Sequence, residues 1–194
     1  MSNVALTDEP IRARVGNPAM VGALVLTAAA GMFLATLGGS YWAVHTANAG
    51  EFVTQGMKFN TYGGALLAIT GILGSLAVEF AMSGVRQGQL RWGWMGCALA
   101  GLFAVSCMTI VWYLGKSLPF GVDDSPYSVL LYAVFAGCML MLAIGLIAVL
   151  SALGRTLGGH ISADHPAHGR AAAWIWHLAM VSAVGTFALV YLYK

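Results

Sequence analysis

Charge is the scarcest commodity in this chain. Charged residues make up 8% of it and hydrophobic residues 59%, against about a quarter and just under a half in an ordinary soluble domain. That balance excludes a water-soluble globular protein, and a net charge of +2 with no basic patch excludes a nucleic-acid partner. Cysteine is scarce as well. Cys97, Cys107 and Cys138 all lie inside apolar runs, where a thiol behaves as a small hydrophobe and cannot easily meet a partner, so all three read as free. Also missing are paired carboxylates, a nucleophile elbow, a phosphate loop and a pair of haem-ligating histidines in facing segments, which argues against an independent catalytic or haem-carrying chain. The first eighteen residues include Asp8, Glu9, Pro10, Arg12, Arg14 and Pro18, without the basic start, apolar core and small-residue cleavage site of a signal peptide.

What the sequence does have is long apolar runs. A helix rising about 1.5 Å per residue needs about 20 apolar residues to cross a hydrocarbon core of about 30 Å. Five runs are long enough, approximately residues 18–46, 61–85, 92–115, 127–153 and 171–193. They predict an all-α, multi-pass bundle of five transmembrane helices, with residues 1–17 as a tail before a membrane domain over 18–194. Breakers separate the runs: Asn48 and Gly50, then Gln87-Gly88-Gln89, then Pro119 to Pro126, then Gly158-Gly159 through Pro166.

The charges punctuate these spans. With five crossings, the tail and the second and fourth loops share a side and hold Arg12, Arg14, Arg86, Arg91, Arg155 and Arg170, while the other side holds only Lys58, Lys116 and Lys194. The positive-inside bias then puts the N-terminus in the cytoplasm and the C-terminus outside. Aromatic residues gather at span ends, as Tyr41 and Trp42, Trp92 and Trp94, Trp112 and Tyr113, and Tyr191 and Tyr193, where interfacial belts are expected. Gly31, Gly38 and Gly39, Gly71 and Gly74, and Gly96, Ala100 and Gly101 recur at near-helical spacing and would let helix backbones approach closely.

A few polar residues stand out against this background. Glu79 is the only acid inside a span; an ionisable group there is a functional hypothesis by default, although at about two turns from the span's end it can also snorkel or pair with Arg86 or Arg91. His177 lies about two turns inside the last span and needs a partner for the same reason. His160, Asp164, His165 and His168 form a loop cluster with zinc- or copper-compatible ligand types, but their spacing matches no closed ligand set; a polar loop at the membrane surface is the plainer reading. Cys138 and Met141 offer soft sulfur at i and i+3, which suits copper(I) and equally suits core packing.

Taken in order, several segments resemble subunit III of the haem-copper oxidases, in the short five-helix form found in many bacteria. Asn17-Pro18-Ala19-Met20, Met32-Phe33 and Tyr41 resemble its first helix in this form, and Asn60 the opening of its second. Arg86-Gln87-Gly88 with Arg91-Trp92 resembles the connection to the third helix, and Tyr127, Tyr132 and Gly145-Leu146-Ile147-Ala148 the fourth. The strongest piece is Ala171-Ala172-Ala173-Trp174-Ile175-Trp176-His177, similar to the family's Ala-rich, Trp-His start of its last helix. The departures are as informative. Where the family usually has a buried glutamate, two histidines three apart and an aspartate, this chain has Ala30, Cys138 and Met141, and Met180. Each replacement removes a buried polar group, so proton-related roles tied to those positions are not expected here.

The resemblance implies an accessory, non-catalytic subunit of a proton-pumping terminal oxidase (cytochrome c to dioxygen, aerobic respiration) in a bacterial inner membrane. It implies no redox centre in this chain, haem and copper in the partner subunits I and II, contact with further respiratory complexes, and phospholipid bound between helices. Glu79, Arg86, Arg91, Trp92, Trp174, Trp176 and His177 are the residues expected at lipid or subunit contacts, with His177 an anchoring element more than a proton relay. Two rival expectations remain: a subunit III-like partner of a nitric oxide reductase or quinol oxidase, and a small proton- or metal-linked transporter using Glu79 and the histidine loop. The transporter lacks the broken helices, repeat symmetry and midplane polar groups that such proteins generally carry.

Overall fold

The computed structural model describes residues 18–47, 60–161 and 166–192. Five long helices account for nearly all of them: α1 (Pro18–Ala47), α2 (Thr61–Arg86), α3 (Leu90–Lys116), α4 (Pro126–Leu157) and α5 (Ala167–Phe187), the last continuing through a wide π-helical turn, Ala188–Leu192. All five are long and apolar enough to cross a membrane. The expected spans are recovered, most edges to within one or two residues and two of them moved outward by four. Helix α4 runs on to Leu157 because Gly154-Arg155-Thr156 continues the coil, with Thr156 buried and donating to Ala152 O at 2.8 Å. Helix α5 begins at Ala167, directly after Pro166, so His168 and Arg170 belong to its first turn rather than to a loop. The tail over 1–17 lies outside the described residues, as do Asp164, His165, Tyr193 and Lys194.

The punctuation works through hydrogen bonds that satisfy helix ends. Asn60 Oδ1 accepts from Gly63 N at 3.0 Å to open α2. Ser125 and Ser128 cap each other before Pro126, the first residue of α4; proline's missing N–H costs nothing at that position. Helices α2 and α4 both stop on a glycine in the left-handed region, Gly88 (φ +73) and Gly159 (φ +71). In each case the next two amides turn back onto the last helical carbonyls: Gly88 N to Val85 O and Gln89 N to Gly84 O, then Gly159 N to Thr156 O and His160 N to Arg155 O. This closure satisfies orphan carbonyls that a membrane interface would penalise.

Helices α2, α3, α4 and α5 close into a ring, each packing on the next and α5 back on α2, while α1 lies outside it against α4 and α5. Small residues set the spacing. A β-carbon on Gly96 would stand 2.7 Å from Ala81 Cβ and 2.8 Å from Ala81 Cα and N, so α3 meets the backbone of α2 directly. Helix α1 buries only Ala23, Ala30 and Tyr41 among its described side chains and turns Leu24, Val25 and Met32 outward. Toward its Ala47 end it is tied to α4, where the Tyr41 and Tyr127 hydroxyls lie 2.9 Å apart and His45, on the same helix, stacks on Tyr41.

The α2–α3 contact gives a clean test. Gly96→Ala should lower bundle stability by about 1–3 kcal/mol, since backbone cannot yield to an added methyl. Gly115→Ala, in the same helix with open space around it, should be neutral or slightly stabilising. Thermal unfolding in one detergent, read side by side for the two variants, checks both outcomes.

Candidate functional site

The small residues that open α5 set the geometry of the site. Ala171, Ala172 and Ala173 are buried, so α5 approaches its neighbours closely at this end, and Trp176 turns into the centre of the ring. Its side chain is fully enclosed. It occupies space that two glycines leave open: β-carbons on Gly74 of α2 and Gly145 of α4 would lie 2.7 Å and 3.3 Å from its ring atoms. Its indole N–H finds no acceptor among the described residues. The expectation for Trp176 is a lipid or subunit contact; it is instead a packing wedge inside the bundle, because glycine on both facing helices makes room for it there.

With Trp176 pointing inward, its neighbours on α5 point elsewhere. Trp174 is exposed on the outside of the bundle, and His177 lies at the outer edge of the seam between α5 and α2. His177 Nε2 lies 2.9 Å from Glu79 Oε1, and Nδ1 lies 3.2 Å from Ser75 Oγ. A doubly protonated imidazole donates to both partners; a neutral ring donates to one and accepts from the other. Side-chain exposures of 37% for His177 and 57% for Glu79 put the pair on the outward face. Of the readings open for Glu79 from the sequence, which were snorkelling or pairing with Arg86 or Arg91, the structure gives a different partner, His177. Arg86 is seven residues further along the same helix, about 10 Å away along its axis, whereas His177 stands directly across the seam.

The other candidate residues separate into two groups. Arg86, Arg91 and Trp92 are exposed around the α2–α3 turn, and the Trp92 ring meets Phe80 edge-on at 5.5 Å. Ala30, Cys138, Met141 and Met180, which stand where the resembled family carries polar groups, are all buried. They lie in one continuous apolar core. Cys97, Cys107 and Cys138 are buried and unpaired. Among the described residues no group of three or more His, Cys, Asp or Glu side chains could hold a metal ion; of the histidine loop, Asp164 and His165 lie outside the described residues.

Two features were not anticipated from the sequence. One is Ser75, whose position one turn before Glu79 was the available signal. The other is a cavity of about 740 Å³ between α3 and α4, walled by Met108, Val111, Phe135 and Met139 and, among exposed residues, by Trp112 and Lys116. The Lys116 ammonium sits 5.3 Å above the Trp112 ring, a cation–π contact on the wall of a mostly apolar slot.

No family model matches the chain, and no curated protein matches it.

The pair across the seam should be measurable as a coupling. Glu79→Leu and His177→Leu should each destabilise the bundle, and the double variant should recover part of the loss. A coupling of about 1 kcal/mol is expected, within the range of interhelical polar pairs in bilayers. Unfolding of the four proteins in one detergent gives it, and strict additivity would dissolve the link between the two residues.

Proposed function

We propose that this chain is the accessory third subunit of a haem-copper terminal oxidase, lying beside the catalytic subunit in a bacterial inner membrane with its N-terminus in the cytoplasm and its C-terminus outside. The observation that carries the reading is the outward Glu79–His177 pair on α2 and α5, inside two helices whose overall composition is apolar enough to cross a membrane. Intramembrane ionisable residues almost always face protein or a water-filled cavity. A chain that turns such a pair away from its own core is therefore suited to life against another chain. Which assembly it joins is argued from the ordered resemblance, above all Ala171 to His177, and the uneven distribution of arginine supports the orientation.

In this reading dioxygen chemistry belongs to haem and copper in subunits I and II. The present chain supplies a rigid wall. Its positions Ala30, Cys138, Met141 and Met180 are buried in the apolar core, and in this reading its contribution is support rather than proton transfer. The α3–α4 cavity suits a bound phospholipid: its apolar walls accept an acyl chain, and the exposed Lys116 meets a phosphate.

Purification in mild detergent through a tag on Lys194, followed by a haem spectrum and mass spectrometry of the accompanying chains, tests the assignment. A haem-containing complex with a copper-centre subunit II is the expected result, and partners from a nitric oxide reductase or quinol oxidase would move the chain to that assembly. A homogeneous haem-free monomer would overturn the reading. In the purified complex, Ala136→Phe, which fills the cavity, should lower the phospholipid retained without dissociating the subunits.

A further inference from the structure

The bundle's outward faces carry other polar side chains, and their handling sets Glu79 apart. Thr36, Ser106, Thr109 and Ser151 each donate to a carbonyl of their own helix, to Met32, Leu102, Val105 and Ala148 respectively, at 2.7–2.9 Å. Their hydrogen-bonding demand is met locally, so lipid tails can cover them. Glu79 has no such outlet. One carboxylate oxygen is engaged by His177, and the side chain remains more than half exposed. A carboxyl group has acceptor capacity on both oxygens, and hydrocarbon offers it no donor.

The surroundings of the pair form a single patch. Ile72 and Leu76 lie on the Glu79 face of α2, and Trp174 and Val181 on the His177 face of α5, each more than half exposed. The other two helices pack mainly elsewhere, α1 against α4 and α5 and α3 against α2 and α4, with Val181 also edging the groove between α5 and α1.

We infer that the α2–α5 seam is the face that docks the partner subunit, and that its occupant is a transmembrane helix that inserts a hydrogen-bond-donating side chain against Glu79, between apolar contacts to Leu76 and Val181. The chemistry selects this occupant. A purely apolar helix, or the acyl chains of lipid, leaves a carboxylate oxygen unserved, whereas one donor at that depth completes the Ser75–His177–Glu79 chain of hydrogen bonds and gives the contact a fixed register. The inference rests on the accessory-subunit reading and adds which face is used and what meets it.

Site-specific photo-cross-linking tests it on the full chain in its own membrane. A benzophenone amino acid is placed at Leu76 or Val181 on the seam, and at Leu102 on α3 or Val25 on α1 as opposing faces, with Glu79 and His177 intact. The expected result is an adduct from Leu76 and Val181 to one transmembrane helix of the haem-bearing partner, mapped by mass spectrometry to a segment containing a donor side chain, with none from Leu102 or Val25. In parallel, E79L should reduce the co-purified partner by about five-fold, as loss of one interhelical polar contact would, while E79Q, which keeps an acceptor, retains most of it. Partner adducts from Leu102 or Val25 instead, or lipid-only adducts from Leu76 and Val181, would overturn the docking face while leaving the accessory-subunit reading intact. Failure of the unsubstituted chain to co-purify any haem-bearing partner would overturn that reading, and the docking proposal with it.

Discussion

An indole can be enclosed at the centre of a tight helical ring only where the facing helices carry no side chain, and the placement of Trp176 against Gly74 and Gly145 meets that condition. Much of the site depends on it. Once Trp176 is fixed inward, the next residue on α5 is turned about 100° around the helix, which brings His177 to the α2 seam and within reach of Glu79 and Ser75. The same rotation leaves Trp174 outside. The wedge also carries a cost, since its N–H is buried without an acceptor among the described residues, and the large apolar area it contributes to the core offsets that cost.

Closely approaching backbones and outward apolar side chains are two consequences of the same solvent. In hydrocarbon, apolar side chains gain nothing by hiding from their surroundings, so helices associate through packing and through a small number of polar contacts. The ring accordingly places small residues where its helices come closest, at Ala81, Gly96, Gly74 and Gly145, and leaves many large apolar side chains facing outward, among them Leu102, Ile147 and Trp112. A soluble bundle would instead turn charged and polar side chains outward.

This inversion explains what the sequence could and could not disclose. Spans were legible because length and hydropathy suffice, and turns because Gly88, Gly159, Asn60 and Ser125 act locally on helix ends. Facing was not legible. With apolar residues on every side of each helix, no stripe marks the interior, so Trp174 and Trp176 look alike in sequence while one is exposed and the other enclosed. The partner of Glu79 is hidden for a related reason: Arg86 is near in sequence, whereas His177 is 98 positions away and becomes near only when α5 closes the ring on α2. Small residues at helical spacing hinted at close approach without saying which helix would approach.

The placement of α1 has a consequence for biogenesis. It is synthesised before the other four helices, yet its neighbours are α4 and α5, the last to emerge. Its packing against them can therefore form only after α2 and α3 have been made. The phenol contact between Tyr41 and Tyr127 cannot form before α4 has entered. Its all-round apolar surface, which looks like poor packing in the finished bundle, is what equips it for that wait.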